Sequence, residues 1–159
     1  NALKELDQFK GYKFATERSQ HLMSLGIPLN TDSTLKGQTV FLAERCGELM
    51  YNNIITDRTI IDVMAFTMNA KSIPYQDKEA FETYASEFIR EYDYIFYISP
   101  HGLEIEDNGV RETDEHYRDL IDFTITTLIK RHGHKAGAIE KISGSTEERI
   151  QQILNVTKL

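Results

Sequence analysis

The sequence predicts an α/β domain, a parallel sheet with helices on both faces. Two observations predict this class. Short runs rich in Ile, Tyr and Phe recur along the chain, and the stretches between them place apolar residues at helical spacing. Strands separated by helical segments need crossover connections, and such connections build parallel sheets. In open sheets of this kind ligands bind outside the carboxyl ends of the strands.

The elements follow in order. "NALKELDQF" (1–9) reads as helix, with no N-cap residue and no initiator Met before it, so the chain is expected to open inside an element. "YKFAT" (12–16) is the first strand, and "GIPLN" (26–30) is a loop expected to border an acceptor site. A helix over 34–51 carries Leu42, Cys46, Leu49 and Met50 on one face. Gln38 and Arg45 are seven apart on that helix, two turns along one face, and read first as an ordinary polar face. "NIIT" (53–56) is the second strand and leads into the helix-like "TIIDVMAF" (59–66). Phe81, Tyr84, Ala85, Phe88 and Ile89 form the next stripe, ahead of the strand "YIFYI" (94–98). Tyr117, Leu120, Ile121 and Leu128 mark a further helix, and "AIEKI" (138–142) the last strand. In "SGSTEER" (143–149), Ser145 or Thr146 is the N-cap and Glu148 completes a capping box, with Ile150, Ile153 and Leu154 as the apolar side of the final helix.

Composition narrows the function classes. With 159 residues, 40% hydrophobic and 27% charged, the chain fits one domain over 1–159. A net charge of −7 argues against a nucleic-acid-coating or anionic-membrane protein, since both need excess Lys and Arg. One cysteine, Cys46, excludes an internal disulfide, and no apolar run reaches the roughly 18–20 residues that span a bilayer. The expected setting is the reducing cytoplasm. No metal-ligand spacing joins His132 and His134 to Cys46, and no nucleophile elbow or Cys–His arrangement supports hydrolysis.

Charge placement is more informative. Asp57-Arg58 directly follows "NIIT", Glu17-Arg18 directly follows "YKFA", and Ser99-Pro100 follows "YIFYI". One acid-arginine pair at a strand end reads as a surface ion pair worth about 0–1 kcal/mol; two at the same sheet edge favour a site. A carboxylate there can hold Mg²⁺ or accept a hydroxyl proton, while arginine neutralises phosphate oxygens through its planar fork. In "IEDNGVRETDEHYRD" (105–119), the Asn108-Gly109 turn precedes Arg111, and Arg118 follows on a helix. This stretch reads either as a charged loop and solvated helix face or as an arginine-bearing lid over about 100–119.

Taken together, "TERS" (16–19), "TDRTIIDVMAF" (56–66), "DNGVRETDEHYRD" (107–119) and "ISGSTEERI" (142–150) resemble P-loop kinases of the nucleoside and nucleotide kinase type, closest to the ribosylnicotinamide-kinase-like and AAA-type ATP-binding branch. The resemblance implies a P-loop NTPase fold, ATP and Mg²⁺ as cofactors, and a nucleoside, nucleotide or ribosyl-pyridine acceptor. By the same resemblance Glu17 is the acid near the acceptor hydroxyl, Asp57 the acid near Mg²⁺ and acceptor, and Arg58 a phosphate or substrate contact. Arg111 and Arg118 become lid arginines, Arg18, Gln38 and Arg45 substrate contacts, and Gly144, Ser145 and Thr146 neighbours of the adenine. The family's phosphate cradle, G-x-x-x-x-G-K-[ST], and the central strand before it are absent from these 159 residues, and the expectation is that they precede Asn1. The alternative function is an ATP-binding or ATPase module that regulates a partner. A homodimer is left open.

Overall fold

The computed structural model describes residues 2–16, 19–100 and 115–159. All four expected strands form: β1 (Lys13–Ala15), β2 (Ile54–Thr56), β3 (Tyr94–Ile98) and β4 (Ala138–Ile142). The helices are α1 (Ser19–Ser24), α2 (Leu35–Glu48), α3 (Ile60–Asn69), α4 (Tyr75–Ala85), α5 (Glu115–His132) and α6 (Thr146–Thr157). Pairing is parallel, as the crossovers require. β1 lies on β2 with Phe14 opposite Ile55, and β3 lies on β4 with Phe96 opposite Glu140. The expected single sheet is instead two separate pairs among the described residues.

The core is built around α3. Its apolar run Ile60, Ile61, Val63, Met64 and Ala65 is buried against Leu42 of α2, Phe81 of α4, and Tyr117, Ile121 and Leu128 of α5. A helix buried all round must be apolar all round, which explains "IIDVMAF". Its start is fixed by a capping box. The Thr59 hydroxyl accepts from the Ile61 amide at 3.1 Å, and the Asp62 carboxylate accepts from the Thr59 amide at 2.7 Å. The Tyr92 hydroxyl accepts from the Ile60 amide at 3.2 Å, tying α3 to the residues before β3.

Some expectations need correction. The helix expected over 1–9 is two 3₁₀ turns, Ala2–Glu5 and Asp7–Phe9, interrupted at Leu6 by extended backbone. So short a segment with only Phe9 buried has too little packing to offset helix nucleation. Met50 is 83% exposed because α2 ends at Glu48 and the chain turns away. Tyr84 is exposed and rests edge-on against Phe88, with ring centroids 5.2 Å apart. Leu120 is exposed because it sits one residue, about 100°, off the buried Tyr117, Ile121 and Leu128 face. Ser145, and not Thr146, caps α6, and Glu148 completes the box as expected.

A buried carboxylate ties α4 to the end of α5. Glu82 Oε1 accepts from Arg131 Nη1 at 2.5 Å and from His132 Nε2 at 2.7 Å. Burial pushes this carboxyl up, but the hydrogen bonds and charge of His132 and Arg131 together outweigh it and hold the group below the usual carboxylate range. A depressed carboxyl contributes stability that is complete above its unfolded pKa, about 4.3, and is lost as pH falls through the folded value. In urea unfolding, the lead of the parent over Glu82→Gln is therefore expected to be full at about pH 6 and to shrink below about pH 4. A constant lead across that range would remove Glu82 from the acid response.

Candidate active site

Main-chain bonds hold the β2–α3 junction in place on both sides. The Asp57 amide donates to the Ala15 carbonyl at 2.9 Å, which ends the ladder with β1, and the Asp57 carbonyl accepts from Arg45 Nη1 at 3.2 Å. The next residue, Arg58, sits at φ +77°, in the left-handed region that L side chains rarely adopt. Such a conformation costs about 1–2 kcal/mol and persists only where its surroundings impose it. Here the surroundings are the β1 ladder on one side and the Thr59 cap on the other.

Asp57 and Arg58 do not pair with each other. The Asp57 carboxylate is exposed and makes no side-chain hydrogen bond or ion pair among the described residues, while the Arg58 guanidinium lies 5.3 Å from the centre of the Phe66 ring. The reading of these charges as a surface ion pair at a strand end therefore fails for this pair.

Behind the junction lies a cavity of about 1150 Å³, larger than the roughly 300–1,000 Å³ common for small-molecule sites. Asp57, Arg58, Gln38, Arg45 and Arg118 all line it. Gln38 is only 3% exposed, and its side chain stands in the cavity wall. Arg45, 4% exposed, puts Nη1 2.8 Å from Glu48 Oε2. Arg118 is half-buried near the start of α5, with Nε 3.7 Å from Asp119 Oδ1.

Of the other expected residues, Gly144 to Thr146 are described and are not brought together with these. Gly144, Ser145 and Thr146 form the β4–α6 turn and do not line the cavity. Gly144 takes φ +92°, and a Cβ there would collide with Glu148 Oε2. The Ser145 hydroxyl accepts from the Glu148 amide, and Arg149 Nη2 donates to Thr146 Oγ1, so the polar groups of this turn serve the helix cap. Glu17, Arg18 and Arg111 lie outside the described residues, as does most of the expected lid.

Sequence reasoning missed one polar pair in the cavity wall. Tyr97 of β3 donates its hydroxyl to Asp122 Oδ1 of α5 at 2.5 Å, and both residues line the cavity. Burial, followed by the bond to Asp122, pushes the phenol up to about 12, so Tyr97 serves as a donor at neutral pH. The alternation in "YIFYI" was the available signal, since it points Tyr97 to the same face as the buried Ile95. The Cys46 thiol is also pushed up by burial, which makes it a poor nucleophile.

Comparison of the chain with protein-family models, with curated proteins and with solved structures finds no match.

Proposed function

We propose that the chain belongs to an ATP-dependent, Mg²⁺-assisted kinase that transfers a phosphoryl group to a nucleoside, nucleotide or ribosyl-pyridine hydroxyl. The observation that carries this reading is the Asp57 carboxylate. It stands at the carboxyl end of β2, exposed and unpaired among the described residues, on backbone fixed from both sides, in the wall of a large cavity. A carboxylate so placed can accept the proton of an attacking hydroxyl.

The metal requirement fits the same residue. Mg²⁺ keeps several waters and takes one or two carboxylates together with substrate phosphates, so it needs no cluster of protein ligands. Among the described residues no three His, Cys, Asp or Glu side chains gather into such a cluster. Asp62 is engaged in the α3 cap, whereas the exposed Asp57 carboxylate would hold the ion. When bound, Mg²⁺ would neutralise charge on the phosphate oxygens.

Gln38 favours a kinase over an ATPase without an acceptor. Its side-chain amide offers both a donor and an acceptor from a residue that is only 3% exposed, and such a group can fix the orientation of a polar ligand. Its place on the cavity wall with Arg45 and Arg118 suits a polar acceptor.

Calorimetry tests the reading. Residues 1–159 preceded by a strand and a Gly-rich phosphate cradle are expected to bind Mg-ATP far more tightly than residues 1–159 alone, because the cradle supplies backbone N–H groups and a lysine to the phosphates. Equal affinity for the two proteins would put the phosphate site elsewhere and overturn the kinase reading.

A further inference from the structure

The two strand pairs share an unfilled space. All of β2 and all of β3 line the 1150 Å³ cavity, whereas no residue of β1 does, and β4 contributes only Ile142. Alternate residues of a parallel strand bond to opposite neighbours. The bonds from the Lys13 amide to the Asn53 carbonyl and from the Asp57 amide to the Ala15 carbonyl turn the odd-numbered residues of β2 towards β1. The main-chain groups of Ile54 and Thr56 then point away from it. The bond from the Ala138 amide to the Asp93 carbonyl likewise turns Ile95 and Tyr97 towards β4, and leaves Tyr94, Phe96 and Ile98 facing away. Among the described residues no strand pairs with either of these edges.

The side chains tell the same story. Parallel sheets are normally buried on both faces. Here all of β2 is only half-buried, while Tyr94 and Ile98 are 43% and 42% exposed. α6 has no buried residue, although Ile150, Ile153 and Leu154 share a face and Ile153 lines the cavity. Charge separates the edges. The outer strands carry the exposed Lys13, Glu140 and Lys141, which discourage further pairing, whereas "IIT" and "YIFYI" carry none.

We propose that this cavity is a strand slot. It takes one extended, apolar polypeptide segment from outside residues 2–159, which pairs with Ile54 and Thr56 on one side and Tyr94, Phe96 and Ile98 on the other and joins the pairs into a five-stranded sheet. A small molecule cannot satisfy two rows of main-chain groups, and the β1 and β4 edges of a second copy are charged, so an apolar strand is the occupant that fits both walls. The inference is independent of nucleotide binding.

Hydrogen exchange tests it. The probe is a blocked peptide of five consecutive Val and Ile residues flanked by lysines, with a control in which two central residues are proline. At about a hundred times its Kd, the Val/Ile peptide is expected to slow exchange at the amides of Ile54, Thr56, Tyr94, Phe96 and Ile98 by up to about 100-fold. The proline peptide lacks the donors and should not. No slowing, equal slowing by both peptides, or prior protection of these amides in a dimer of the chain overturns the proposal. Because two-stranded sheets are marginal alone, a second measurement tethers each segment to the N-terminus through a flexible linker. The Val/Ile version is expected to melt at the higher temperature, and equal melting temperatures also overturn the slot.

Discussion

Asp57→Asn is expected to lower phosphoryl transfer by about 10²–10⁴-fold, the range over which a positioned acid or base contributes to catalysis. The measurement is steady-state turnover on protein that carries the phosphate cradle. Asparagine keeps the shape of the side chain and removes only the charge and basicity. The folded state should barely register the change, because the Asp57 carboxylate is exposed and unpaired among the described residues while its main-chain bonds to Ala15 and Arg45 do not depend on the side chain. Surface substitutions of this kind stay within about 0.5 kcal/mol. Activity and stability thus separate. A variant that melts early yet turns over normally would make Asp57 a structural residue and remove the catalytic assignment.

What the sequence made legible follows from where local physics decides the outcome. "YIFYI" and "AIEKI" form strands over the expected residues, and the Ser145–Glu148 box starts α6, because β-rich runs and capping pairs act over a few residues. The break between β2 and β3 was not legible, since strand adjacency depends on contacts distant in sequence. The same holds within the site. Asp57 and Arg58 stood out as charges at a strand end, but their separation came from Arg58 entering the left-handed region and resting on Phe66. Tyr97 and Asp122 meet across 25 residues and two elements, and nothing in either segment names the other. Conversely, Gly144 to Thr146 read as a ligand loop, yet those residues are occupied in capping α6.

Arg45→Ala is expected to destabilise the protein by about 3–5 kcal/mol, the usual cost of stripping one partner from a buried ion pair. For a chain of this size that is a fall of about 6–20 °C in melting temperature. Arg45 is 4% exposed, its guanidinium lies 2.8 Å from the Glu48 carboxylate, and it also donates to the Asp57 carbonyl at 3.2 Å. Loss of the guanidinium leaves a buried carboxylate without that charge and slackens the turn that aims Asp57. Removing both charges together is a different change. Arg45→Met with Glu48→Leu replaces the pair by apolar volume and should recover most of the loss, since burying two ions costs about what their attraction returns. The double-mutant cycle, read by urea unfolding, isolates the coupling between them. The two roles given to Arg45 make opposite demands on this protein. If the guanidinium serves only the fold, the stable double variant keeps its turnover; if it also holds the acceptor, the double variant stays folded and loses activity. A melting temperature unmoved by Arg45→Ala would show that the buried pair contributes nothing to stability.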